Sequence, residues 1–134
     1  MKFIISFFSV LLLIGCNSSD SKLKATVDNI DNGTPVYLTQ LGPENIPIPL
    51  DTTRIQNNTF TFDLNTDNQS INLIQIEGIN GNLIFINDSE KINIDVNKEN
   101  LRNSSIEAGE HNTLLKSYID QLTRHSEPYI YYIV

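Results

Sequence analysis

The sequence predicts an all-β fold, an antiparallel β-sandwich or open barrel with one C-terminal amphipathic helix, preceded by a signal peptide. Three observations predict it. Short runs of β-forming residues recur at regular spacing between turn residues. Only one segment, near the C-terminal end, changes to helical periodicity. At the start, Met1-Lys2 is followed by a nearly unbroken apolar run over residues 3–14, broken only by Ser6 and Ser9. That run is about a dozen residues long, too short to span a bilayer as a helix and suited to a signal-peptide core.

Taken in order, Leu23-Lys24-Ala25-Thr26-Val27 alternates and stops at Asp28. Asp31-Asn32-Gly33 is a turn, because glycine takes positive φ without steric cost. Pro35-Val36-Tyr37-Leu38-Thr39 is a second strand. Pro43, Pro47 and Pro49 then forbid a central strand and require an extended loop or a sheet edge. Residues 53–64 read as a hairpin about a two-residue Asn57-Asn58 turn, since asparagine tolerates left-handed geometry. Phe60, Phe62 and Leu64 share one face of its second arm. Residues 71–77 are another strand. Leu83-Ile84-Phe85-Ile86 is apolar on both faces, which places it centrally in a sheet. After the turn at Asp88-Ser89-Glu90, residues 91–96 alternate without a fault, with Ile92, Ile94 and Val96 inward. Leu114, Leu115, Tyr118, Ile119 and Leu122 then mark an amphipathic helix over residues 111–124, which Pro128 ends. The closing Tyr129-Ile130-Tyr131-Tyr132-Ile133-Val134 is apolar and β-prone; it either pairs with a sheet edge or begins a further region.

Composition narrows the function. At 134 residues the chain holds one domain after its leader, and 40% hydrophobic content is enough for a core. The net charge of −7 and nine scattered basic residues argue against nucleic acid, which needs clustered Lys and Arg. No metal or other cofactor is expected: His111 and His125 have no His-x-x-x-His or cysteine partners and read as solvent-side helix residues. Residues 28–39 fail as a calcium loop, with Ile30 at the third position and Thr39 at the twelfth. No serine stands in a nucleophile elbow, and the carboxylates are dispersed. No catalytic residue is assigned, and the chain is not expected to be an enzyme.

The single cysteine has a specific setting. Leu13-Ile14-Gly15-Cys16 resembles the lipobox of bacterial lipoproteins. The resemblance implies cleavage between Gly15 and Cys16 and a diacylglycerol on the Cys16 thiol, with further acylation of the new N-terminus. Two or more acyl chains make membrane anchoring stable, at roughly 0.8 kcal/mol per buried methylene. Asn17, where an aspartate would hint at inner-membrane retention, points to the outer membrane. The expected layout is a lipoprotein signal peptide (residues 1–15), a polar tether (16–22), a β-sandwich (23–109), a helix (110–125) and an apolar tail (126–134).

Val36-Tyr37-Leu38, Leu50-Asp51-Thr52-Thr53, Asn58-Thr59-Phe60-Thr61-Phe62 and the Gly109 to Asn112 stretch before the helix together resemble domain of unknown function 4369 of bacterial lipoproteins. The resemblance covers residues 23–122. In that family the domain commonly precedes a thioredoxin-like domain of thiol-disulfide oxidoreductases. That chemistry needs a Cys-x-x-Cys pair, and the one cysteine here is assigned to lipid. Asp51-Thr52-Thr53 also resembles the acceptor of a bacterial O-glycosylation system, which makes Thr52 a candidate site. The expected function is therefore a lipid-anchored, non-catalytic envelope module for protein interaction or domain presentation. The alternative is the N-terminal part of a thiol-disulfide oxidoreductase whose active site lies beyond residue 134. A small-ligand binder with a cavity between its sheets is a third reading. The sequence singles out no protein partner.

Overall fold

A computed structural model describes residues 21–65 and 68–126. Cys16, Gly15 and residues 127–134 lie outside the described residues. The strands are β1 (Ser21–Val27), β2 (Pro35–Leu41), β3 (Pro47–Arg54), β4 (Thr59–Leu64), β5 (Ile71–Ile76), β6 (Leu83–Ile86), β7 (Lys91–Val96) and β8 (Ser105–Glu107). They are followed by the helix α1 (Glu110–Ser126).

Two four-stranded sheets are formed, in the orders β4-β1-β7-β8 and β3-β2-β5-β6, and they make a sandwich. All pairings are antiparallel except β1 with β7, which is parallel. β1 starts at Ser21, inside the stretch expected to be tether.

The period-two patterns become the core because alternate residues of a strand point to opposite faces. Leu23, Ala25 and Val27 of β1, Phe60 and Phe62 of β4, and Ile92 and Ile94 of β7 are buried in one sheet. They meet Val36, Leu38, Ile74, Ile76, Leu83 and Phe85 of the other. Phe60 and Phe62 stack edge to face, with ring centroids 6.0 Å apart.

Two expectations are corrected. The 53–64 segment is not a hairpin within one sheet. Asn57 and Asn58 do turn left-handed, with φ of 49° and 59°, and Gln56 and Thr59 exchange backbone hydrogen bonds across them. Beyond that single bridge, however, β3 goes to one sheet and β4 to the other. Ile55, between the two arms, is fully buried, and its backbone bonds Gly33 and Thr34 instead of the opposite arm. The second correction is β6, which is an edge strand, not a central one. Its outward Ile84 is 37% exposed and faces a groove shared with α1.

Of the three clustered prolines, Pro43 opens a 3-10 turn over Pro43–Asn45 and the other two are edge residues. Pro47 and Pro49 lie in β3, at the opposite edge of the same sheet, where a missing N–H costs little.

Candidate functional site

α1 flanks the open side of the sandwich between the edge strands β6 and β8, and its N-terminus is fixed by side chains. The first N–H groups of a helix have no partner within it. Asp88, in the turn after β6, supplies them from a distance. Its carboxylate accepts hydrogen bonds from the backbone N–H groups of Gly109 (3.0 Å), His111 (2.9 Å) and Asn112 (3.3 Å). The Asp88 side chain is only 1% exposed, and its negative charge sits at the positive end of the helix dipole.

Asn112 completes the fixture. Its Oδ1 accepts from the Ile86 N–H at 2.9 Å. Its Nδ2 donates to the Ile86 carbonyl and to Asp88 Oδ1, each at 2.7 Å. The Asn112 carboxamide thus pairs with the free edge of β6 as a neighbouring strand would. Gly109 is required by space: a Cβ there would lie 2.5–2.7 Å from the Asp88 carboxylate atoms. Further along α1, Lys116 Nζ donates to the Arg102 carbonyl at 2.9 Å and pairs with Asp120 at 2.9 Å.

Past this fixture α1 separates from the body. A groove of about 770 Å³ runs between the helix and the sandwich, lined by Leu83 and Ile84 of β6, Ile106 of β8, and Leu115, Ile119 and Leu122 of α1. Leu114 and Tyr118 on the neighbouring face of the helix are about 60% exposed.

A second, smaller cleft of about 420 Å³ lies on the β3–β4 side, lined by polar residues that include Asp51, Asp63 and Asn87. Its buried amides serve the loop above it. Asn87 Oδ1 accepts from the Ser70 N–H at 2.5 Å, and its Nδ2 donates to the carbonyls of Asn65 (2.6 Å) and Asn68 (3.1 Å). Asn72 donates to the Ser70 carbonyl at 3.0 Å. No buried side-chain polar atom among the described residues lacks a partner, so these groups are occupied in holding the loop.

The outer faces of the two sheets differ in character. Lys22, Lys24 and Thr26 of β1 stand beside Lys91, Asn93 and Asp95 of β7 on the first sheet. On the second, Pro49, Thr39, Leu73 and Ile84 form a row across all four strands. Tyr37 and Ile71 flank that row, each about 40% exposed. The Tyr37 hydroxyl donates to Glu77 at 3.0 Å, and this hydrogen bond raises the phenol's pKa above its ordinary value.

Among the residues singled out in the sequence, Thr52 is exposed on the edge strand β3, beside Tyr37, and the Asp51 carboxylate accepts its backbone N–H at 2.7 Å. His111 is largely exposed, with Nδ1 3.5 Å from Asp88. His125 falls within α1. Cys16 is not brought into any described site. Among the described residues there is no cluster of three or more His, Cys, Asp or Glu able to hold a metal, and no helix is long and apolar enough to cross a membrane. Asp88 escaped the sequence reading because an Asp-Ser-Glu turn gives no sign that its first residue caps a helix 21 residues later. Gly109 and Asn112 were the available signal.

The family model for the domain of unknown function DUF4369 matches residues 21–115. The chain belongs to this family. The matched DUF4369 segment spans every strand and the first turns of α1, so it ends just beyond the Asp88–Asn112 fixture. No curated protein gives a significant match to the chain.

Proposed function

We propose that this DUF4369 domain is a non-catalytic module held in the cell envelope by acyl chains on Cys16, most naturally at the outer membrane, and that it binds a protein through the outer face of the β3-β2-β5-β6 sheet. The observation that carries the interaction is the contrast between the two outer faces. One is lined with lysines and polar residues, as a solvated face should be. The other aligns Pro49, Leu73 and Ile84 in one row with Thr39 and adds Tyr37 and Ile71, and exposed apolar side chains gathered on one face are of the kind that marks interaction sites. The anchor is supported by the Leu13-Ile14-Gly15-Cys16 sequence and the polar residues that follow it.

The test uses the full chain in its own envelope. A photo-reactive residue at position 75, on the apolar face beside Tyr37, should yield one defined protein adduct. The same residue at position 93, on the polar face beside Lys24, should yield none. Equal labelling from both positions would refute the assignment. Cys16→Ser should abolish fatty-acid labelling and release the protein from the membrane fraction. Persistence there would remove the anchor from the reading.

Thr52 is included as the proposed O-glycan acceptor, supported by its exposure on β3. A tryptic peptide of unmodified mass from the native protein would dispose of that assignment.

A further inference from the structure

We propose that the β2–β3 hairpin rests on the lipid surface, with Ile46, Ile48 and Leu50 seated at the boundary between headgroups and acyl chains. This rests on the Cys16 anchor proposed above and goes beyond it, since it gives the domain a second, non-covalent lipid contact and an orientation. The first observation is exposure. Ile46, Ile48 and Leu50 are 59%, 42% and 48% exposed, and they follow one another along β3 and the turn before it. Glu44 is the single charged residue in the stretch 41–50. Exposed apolar clusters of this kind mark protein or membrane contacts. This cluster is not the outer sheet face: Ile48 stands opposite Gln40, one residue out of step with the row that holds Pro49 and Thr39.

The second observation concerns the kind of partner that fits. The Gly42 N–H donates to the Ile46 carbonyl at 2.9 Å. Bonded and non-bonded pairs alternate along an antiparallel ladder. Gln40 and Ile48 are therefore the next bonded pair, while Pro47 and Pro49 turn their backbones outward, to the free edge. A strand added there would meet two proline rings where it needs N–H donors. A lipid surface needs only apolar area and no backbone hydrogen bonds.

The third observation is position. Ser21 opens β1 and pairs with Leu64 at the end of β4. Leu64 lines the same cleft as Leu50 and Gln40. The start of β1 and the hairpin thus share one end of the sandwich, opposite the end where β3 passes into β4 through Gln56 and Thr59. Cys16 precedes Ser21 by five residues, and five residues span no more than about 18 Å. Acyl chains on Cys16 therefore bring this end within reach of the bilayer before any other part of the domain. Once a tether confines the domain there, a weak apolar contact is enough to orient it.

The full chain, acylated in cells and placed one per nanodisc of phosphatidylethanolamine and phosphatidylglycerol, tests this by NMR. Doxyl groups on the acyl chains of added lipid relax nearby methyl protons. The Ile46, Ile48 and Leu50 methyls should relax severalfold faster with the doxyl lipid than without it. Those of Ile30 and Ile79, beyond the opposite ends of β1 and β5, should change little. Ile46→Ser/Ile48→Ser should abolish the effect at Leu50 while the fatty acid on Cys16 and the Ile94 core methyl signal stay as in the parent. Equal relaxation at both ends of a chain that carries fatty acid would overturn the contact and leave the anchor standing. So would a Leu50 effect indifferent to the double substitution. Absence of fatty acid from Cys16 would overturn the anchor and the contact with it. An effect seen only when two chains share a disc would assign the patch to a second copy and overturn the proposal.

Discussion

Asp88 concentrates on one carboxylate what helices usually arrange locally. Four donors converge on it, three of them backbone N–H groups at the start of α1. Asp88→Ala should therefore lower stability by about 1–3 kcal/mol in denaturant unfolding, and should loosen α1 before the sheets. Gly109→Ala tests the same point sterically. An isolated carboxylate could swing away from the new methyl, but this one is pinned by its donors, so a cost of about 1–3 kcal/mol is expected. Because Asp88 and Asn112 share a bond, their alanine losses should be non-additive in a double-mutant cycle, with a coupling of about 0.5 kcal/mol or more. Tyr37 offers a simpler readout. Its neutral hydroxyl is held by Glu77, so its ring should titrate above the ordinary tyrosine value, and Glu77→Gln should return it toward that value in an NMR titration. The raised value means that any stability from this bond is present below the ordinary tyrosine pKa and is lost as pH rises through the folded one.

At the scale of elements, the sequence pattern was most informative where one face is core and the other is water. β4 and β7 alternate because the sandwich buries every second residue, and their inward sets were readable without ambiguity. β6 is an edge strand although it is apolar on both faces, because an apolar outward residue such as the 37% exposed Ile84 does not distinguish a covered face from an exposed one. The Asn57-Asn58 turn was readable from asparagine's tolerance of positive φ, but not the parting of its arms into separate sheets. That parting follows from the pairing of β3 with β2 and of β4 with β1, which are long-range contacts. The turn geometry itself makes a prediction. Asn58→Val puts a β-branched residue at φ 59° and should cost about 1–2 kcal/mol, whereas Asn58→Gly should be tolerated, as thermal unfolding would show.

For the whole molecule, the two sheets differ in what they turn outward, and the proposed recognition surface rests on that difference. The β4-β1-β7-β8 sheet turns lysines and polar side chains outward, so its exterior needs nothing beyond water. The β3-β2-β5-β6 sheet exposes Ile71 at 40%, with Leu73 half-buried beside it, and neither is required by the core, which is filled from the opposite face of the same strands by Ile74 and Ile76. This separation makes recognition testable apart from folding. Ile71→Lys/Leu73→Lys alters only the outer face, and surface changes of that kind usually move stability within about 0.5 kcal/mol. The variant should therefore unfold close to the parent in denaturant, fractionate with the membrane as before, and lose the adduct formed from position 75. A matching pair on the other sheet, Lys24→Ile/Asn93→Ile, should leave that adduct intact. Retention of the adduct by the first variant, or its loss from the second, would place the partner elsewhere on the molecule.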